Sequence, residues 1–267
     1  MIVVKTGGDL LREGLSRGLV DELKVISEGE GLIVVHGGGD MVTDTATRLG
    51  HPPRFVVSPK GFRSRYTDKE TSLIYTMVMA GKINKGIVSS LQASGVPAVG
   101  LSGLDGALVR ARRKKRIIAV DERGRRVLME GGYTGKIEEV DAKFLRLLIG
   151  NGYVPVVSSL AMGEEAEPLN VDGDRMAASI ASALKADRLV LLTDVEGLRL
   201  DGRTIDGLTS AEAKEVLDEI GPGMVTKVYA AIEALEGGVG EVLIASGFKE
   251  RAIGSALEHE NGTVIRK

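Results

Sequence analysis

Cysteine and tryptophan are absent from the chain, and histidine occurs only at His36, His51 and His259. Without thiols there are no disulfides, thiolate nucleophiles, iron–sulfur clusters or cysteine zinc sites. No His-Glu-x-x-His spacing occurs, so a histidine-built metal site lacks support too, and no protein metal ligand is expected. The apolar runs, such as Leu189 to Leu192, are strand-sized, far below the ~20 residues of a membrane helix. No membrane span is expected. Thirty-five Lys and Arg nearly balance 37 Asp and Glu, a formal net charge of −2, so the overall field recruits neither nucleic acid nor anionic lipid. Ile2 to Val4 is too short for the apolar core of a signal peptide, and a cytoplasmic protein is the expectation.

Glycine, by contrast, is abundant, at 36 of 267 residues. The length accommodates one large α/β domain or two small ones. Short β-branched runs at Ile2 to Lys5, Leu32 to His36, Ala98 to Leu101, Tyr153 to Ser158, Leu189 to Thr193 and Glu241 to Ala245 read as buried parallel strands. Helical spacing of apolar residues falls between them, over Leu10 to Ser27, Met41 to Leu49, Asp68 to Ala93, Asp141 to Gly150, Arg175 to Ala186 and Thr226 to Glu236. This alternation predicts an α/β fold: a three-layer αβα sandwich around a mainly parallel sheet. From Leu108 to Met129 the texture changes to a β-rich insertion with a hairpin turn at Asp121-Glu122-Arg123-Gly124. The polar run Gly163 to Pro168 reads as a hinge between an N-terminal lobe, 1–165, and a C-terminal lobe, 166–267.

In open α/β sheets, ligands bind beyond the carboxyl ends of the strands. There the first strand ends in Lys5-Thr6-Gly7-Gly8 and the second in His36-Gly37-Gly38-Gly39. Turns without side chains expose backbone N–H groups to a phosphate or carboxylate. Neither turn completes Gly-x-Gly-x-x-Gly, and no P-loop pattern occurs. The second half adds Asn170-Val171-Asp172-Gly173-Asp174, Thr193-Asp194-Val195-Glu196-Gly197, and Gly221 to Lys227 opening a helix.

In order, Lys-x-Gly-Gly, His-Gly-Gly-Gly, Arg-x-Thr (Arg65 to Thr67), Asn-x-Asp-Gly-Asp, Thr-Asp-Val-x-Gly and Gly-Met-x-x-Lys resemble the amino acid kinase family, most closely its acetylglutamate kinase branch. The segments Gly50 to Phe55, Ser64 to Asp68, Gly100 to Gly106 and Gly132 to Gly135 resemble the kinases that act on a substrate bound to the acidic carrier protein LysW. The resemblance implies the amino acid kinase fold and ATP-dependent phosphorylation of the side-chain carboxylate of carrier-bound 2-aminoadipate, and in some archaea of glutamate, in lysine and arginine biosynthesis. Free N-acetylglutamate is the alternative acceptor.

The resemblance also implies site roles. Lys5 and Lys227 would neutralise the transferring phosphoryl group, and Asp174 would hold both lysines; Asp174 alternatively reads as a helix N-cap before Arg175. Gly38, Gly39, Arg65 and Asn170 would hold the acceptor, with Arg63 a rival to Arg65 as carboxylate clamp. Gly8, Thr193, Asp194, Gly197, Gly223 and Met224 would hold ATP, and Mg²⁺ would come with it, bound mainly through phosphates. The basic cluster Arg110, Arg112, Arg113, Lys114, Lys115 and Arg116 reads either as a solvated hairpin or as a dock for the carrier. The feedback-inhibited relatives often carry an extra N-terminal helix, whereas the first strand here starts at Ile2, so a homodimer is expected.

Overall fold

The computed structural model describes residues 1–59, 61, 63–121 and 123–267. Its strands are β1 (Ile2–Thr6), β2 (Leu32–His36), β3 (Arg54–Val57), β4 (Arg63–Tyr66), β5 (Ala98–Gly103), β6 (Val109–Arg113), β7 (Arg116–Val120), β8 (Arg126–Glu130) and β9 (Gly135–Val140). They continue with β10 (Val154–Met162), β11 (Pro168–Asn170), β12 (Arg188–Thr193), β13 (Arg199–Leu200), β14 (Arg203–Thr204), β15 (Gly207–Thr209), β16 (Glu241–Ser246) and β17 (Thr263–Arg266). The helices are α1 (Arg17–Gly29), α2 (Gly39–Arg48), α3 (Lys69–Thr76), α4 (Asn84–Ala93), α5 (Ala142–Gly150), α6 (Gly173–Leu184), α7 (Ser210–Glu215), α8 (Pro222–Glu236) and α9 (Ala252–Leu257).

One sheet spans the molecule in the order β15-β17-β16-β12-β1-β2-β10-β6-β9, with β5 and β11 also paired to β10. Its centre, β16-β12-β1-β2-β10, is parallel throughout, and antiparallel pairs appear toward the edges at β16-β17 and β6-β9. The central strands are apolar at successive residues because both faces are covered. Along β1, Ile2 and Val4 enter one core while Val3 enters the other; β2 and β12 alternate in the same way. One core lies beneath α5, α6 and α8, and the other beneath α1, α2, α3, α4 and α9, which is the three-layer sandwich expected.

All six expected strands form, and the differences are local. The first helix begins at Arg17, where the Ser16 hydroxyl accepts from Leu19 N at 3.3 Å, while Leu10 and Leu11 close a separate 3₁₀ turn. The span expected as one helix over 68–93 is α3 and α4 joined through a π-type turn, Met77–Ile83. Helix α8 starts a turn early, at Pro222, so that Gly223 and Met224 belong to its first turn. The β-rich insertion divides: β6 joins the main sheet, whereas β7 and β8 pair as a hairpin in a second sheet ordered β4-β3-β7-β8. Asp121 and Gly124 close that hairpin with a 2.9 Å backbone bond, and Glu122 of the same turn lies outside the described residues. The run 163–168 is the tip of the β10-β11 hairpin, with Gly163 N donating to Glu167 O at 2.9 Å.

Candidate active site

Lys5 is next to last in β1, at the carboxyl end of the central strand, with Cα partners Val35 on one side and Leu191 on the other. Asp174 faces it from the first turn of α6. The N-cap of that helix is Asp172, whose carboxylate accepts from Arg175 N at 2.9 Å, not Asp174 as the sequence also allowed. Capping by Asp172 leaves both oxygens of Asp174 free for cations. Lys5 Nζ lies 2.8 Å from Oδ1, and Lys227 Nζ, from α8, donates to Oδ2 at 3.0 Å. Lys5 is 8% exposed and Asp174 5%.

Burial opposes charge on all three groups, and position decides which effect wins. For Asp174 the two ammonium groups overcome burial and hold the carboxyl at about 2. For Lys5 burial is outweighed by the charge and hydrogen bond of Asp174, and its pKa rises above the ordinary value. For Lys227 burial and the neighbouring Lys5 charge prevail over Asp174, and its pKa falls. Asp172 is pushed up by burial and by the Asp174 charge.

Lys5, Asp172 and Asp174 open on a cavity of about 670 Å³ whose lining also brings together Gly8, Gly38, Gly39, Arg65 and Asn170, while Lys227 is not part of that lining and meets it through Asp174. The walls are tight near the lysine. A Cβ on Gly7 would lie 3.2 Å from Lys5 Nζ, and one on Gly173 would lie 3.5 Å from Lys5 Cε. Arg65 reaches in from β4 and is 9% exposed. Its Nη2 donates to Gly39 O and to Thr43 Oγ1, both at 2.8 Å, while the buried Nη1 has no hydrogen-bond partner among the described residues. Arg63, two residues earlier on the same strand face, also lines the cavity, where it rests on the Phe55 ring, 3.8 Å from its centroid. Asn170 donates to Thr67 Oγ1 at 2.9 Å, tying the Asn-x-Asp-Gly-Asp segment to the Arg-x-Thr segment.

Of the residues expected on the nucleotide side, Gly8 lines this cavity, whereas Thr193, Asp194, Gly197, Gly223 and Met224 do not. Thr193 and Asp194 stand at the carboxyl end of β12, with the Thr193 hydroxyl donating to Asp194 Oδ1 at 3.0 Å. Gly223 has open space where a Cβ would project, and Met224 packs against the core. Gly197 is enclosed, since a Cβ there would meet Thr263 Oγ1 at 2.8 Å.

Several cavity residues carry no role assigned from the sequence, among them Tyr75, Ser159, Asp172 and Lys114. Tyr75 and Ser159 share a 3.1 Å hydroxyl contact, and burial raises the phenol to about 12; neither sits in a motif. Asp172 lay inside one. Lys114 was grouped with the surface cluster but lines the cavity, where burial and the Arg175 charge lower its pKa. Of its neighbours, Arg113 donates to Gly132 O at 2.6 Å and stacks on Tyr133, Arg112 pairs with Glu138, Lys115 pairs with Glu165, and Arg110 and Arg116 are exposed. No helix among the described residues is long and apolar enough to cross a membrane.

A family model described as the amino acid kinase family matches residues 1–246. Over 266 residues the chain is 49% identical to the LysW-aminoadipate/LysW-glutamate kinase of Saccharolobus solfataricus, with 99% of each chain covered. It is 52% identical over 265 residues, again 99% of each, to a Cenarchaeum symbiosum chain that bears the same name provisionally. N-acetylglutamate synthase from Neisseria gonorrhoeae, solved with coenzyme A and N-acetylglutamate, superposes with a TM-score of 0.82 at 27% identity, covering all of this chain and 59% of that one. Carbamate kinase from Giardia lamblia bound to AMP-PNP shares the fold, with a TM-score of 0.68 at 18% identity over 100% and 98% of the two chains. A match over 246 of 267 residues, with relatives near half identical along their full length, makes this chain a member of the amino acid kinase family.

Proposed function

We propose that the protein transfers the γ-phosphoryl group of ATP to the side-chain carboxylate of 2-aminoadipate or glutamate carried on LysW, forming an acyl phosphate. The observation that carries this reading is the single buried carboxylate gripping two ammonium groups at 2.8 and 3.0 Å on the wall of the cleft. Phosphoryl transfer to a carboxylate brings two anions together, so positioning and positive charge are the main requirements. The acceptor is already ionised at neutral pH and needs no general base, which agrees with a cleft that draws on no titrating histidine.

Lys5 and Lys227 neutralise charge on the equatorial and bridging oxygens, and Asp174 keeps their separation fixed. Gly8 cradles the phosphates, and Thr193, Asp194, Gly197, Gly223 and Met224 form the nucleotide side, with Gly197 acting through loop shape because its own surroundings are filled. Arg65 clamps an acceptor carboxylate with the unpartnered Nη1, helped by Asn170 and by the amides of Gly38 and Gly39. Mg²⁺ bound with ATP would take phosphates and water as its chief ligands and would add further positive charge there. Residues 1–165 serve the acceptor and 166–267 the nucleotide, and the enzyme works as a homodimer.

The carrier enters this reading because relatives near 50% identical over 99% of the chain bear LysW in their names. Incubation with ATP, hydroxylamine and LysW loaded with aminoadipate or glutamate should yield hydroxamate, whereas free N-acetylglutamate should yield little. Hydroxamate from free N-acetylglutamate alone, or from none of the three, overturns the proposal.

A further inference from the structure

The histidine of His36-Gly37-Gly38-Gly39 is fully buried. Its Nδ1 lies 3.1 Å from the carbonyl oxygen of Gly37, and its Nε2 lies 3.1 Å from Asn84 Nδ2. The Asn84 nitrogen also stands 2.9 Å from Val156 O and 3.2 Å from Leu101 O, two acceptors, so it is the donor end of the amide. A hydrogen on Nε2 would point at this donor-only nitrogen, so Nε2 is bare, Nδ1 carries the proton, and that proton points at Gly37 O. In a trans peptide the C=O and the following N–H are antiparallel. Holding the Gly37 carbonyl against the ring thus turns Gly38 N–H the opposite way, and Gly38 lines the cleft.

The π-type turn supplies the other half of the clamp. It ends at Ile83, whose Cδ1 occupies the place of a Gly38 Cβ, 2.1 Å from where that atom would be, and Gly38 has φ +143°. Asn84 follows immediately. A Cβ on Gly100 would meet Asn84 Oδ1 at 2.1 Å, so a second glycine makes room for the amide. Asn84 Oδ1 in turn accepts from Lys85 Nζ at 3.1 Å. A π-turn adds a residue to the helical register, and here that register delivers Ile83 and Asn84 to the underside of the glycine turn together.

We infer that His36, fixed by Asn84, is a positioning residue that aims the Gly38 amide at the anion in the cleft, and that the π-turn exists to deliver this support. The turnover arm of the test rests on the carboxyl-kinase reading; the ring tautomer does not. Asn and Leu have the same shape, and only Asn keeps a donor near the place of Nδ1. His36→Leu should lower kcat by about tenfold or more, as expected when a preorganised donor is misdirected, with the KM for ATP unchanged. His36→Asn should recover most of that loss, with both variants melting at similar temperatures. Equal losses in the two variants, or none in either, would overturn the proposal. Independently of any variant, ¹⁵N NMR of the wild-type imidazole should find Nδ1 protonated and Nε2 bare at neutral pH, and the reverse tautomer refutes the assignment even if neither variant folds.

Discussion

Lys5 and Lys227 grip the same carboxylate from unlike surroundings. Lys5 is carried by the central strand, whose backbone is paired on both sides. Lys227 is carried by α8, a helix in the outer layer whose first turn holds Gly223 with open space beside it. Strand position is fixed by two hydrogen-bond ladders, whereas helix position depends on side-chain packing. The charges follow suit: the Lys5 pKa is raised by Asp174 despite burial, and that of Lys227 is lowered by burial and by Lys5. Lys5 is thus the anchored member of the pair, and Lys227 the one whose charge is costly at neutral pH.

Removing the shared carboxylate should have the largest effect, because neither lysine then has a reason to stay. Asp174→Asn should lower kcat by about 10³-fold, the scale of losing preorganised electrostatic donors, and cost roughly 3 kcal/mol of stability by leaving two buried ammonium groups unpaired. The acid limb of the stability curve checks this. The Asp174 pKa is depressed from 3.8 to about 2, so its contribution is complete above about pH 4 and fades as the pH falls through 2. Melting temperatures of Asp174→Asn should lack that part of the acid decline; an identical decline in both proteins would contradict it.

The lysines themselves test the asymmetry. Each Lys→Met variant should lose roughly 10²-fold in kcat, but their stabilities should differ. A raised lysine stabilises the fold below its unfolded pKa and loses that contribution as the pH rises through the folded value, whereas a depressed lysine opposes folding at neutral pH and is relieved as the pH approaches 10.5. Lys5→Met should therefore lower the melting temperature at pH 7 more than Lys227→Met. Equal losses would show the two sides of the carboxylate to be equivalent.

The same division governs what was legible in the sequence. Lys-x-Gly-Gly, Arg-x-Thr and Asn-x-Asp-Gly-Asp carry the family resemblance, so Lys5, Arg65 and Asp174 are named from the sequence, and the structure brings all three to one cavity. Short β-branched runs exposed the six main strands, since burial on both faces leaves a continuous apolar run. Tyr75 and Ser159 reach the cleft from the last turn of α3 and the middle of β10, where no local pattern distinguishes a lining residue from a core one. Helix α9 was missed because its N-terminus is satisfied from afar, with the Glu22 carboxylate of α1 accepting from Gly254 N at 2.7 Å. Helix α7 was legible and overlooked: Thr209 and Glu212 form a capping box, a pattern visible in four consecutive residues. A run of six basic residues with one alanine and no other interruption gives no hint that Lys114, between β6 and β7, is the one that borders the cleft.

On the anchored side, Arg65 offers a finer test against its neighbour. Its guanidinium holds Gly39 O and Thr43 Oγ1 through Nη2 and keeps a buried Nη1 unpartnered among the described residues, and an ammonium cannot reproduce that fork. Arg65→Lys should raise the acceptor KM by ~30-fold, equivalent to about 2 kcal/mol for a truncated buried charge contact, and leave the KM for ATP unchanged. Arg63→Lys, at a side chain resting on Phe55, should change the acceptor KM far less. The reverse ranking would move the clamp to Arg63.

The smallest effect is expected at the rim. Arg113 is engaged by Gly132 and Tyr133 and Lys114 faces the cleft, so reversing either charge would damage the site as well as any docking surface. Arg110 and Arg116 are exposed and can be reversed without touching the cleft lining. Exposed charges interact weakly and are screened over ~10 Å at moderate salt. Reversing both to Glu should therefore raise the KM for loaded LysW about threefold at low salt, with the difference vanishing at high salt and ATP kinetics unaltered. A KM that stays constant at low salt would leave carrier recognition to the anchored side of the cleft alone, where the acceptor itself is held.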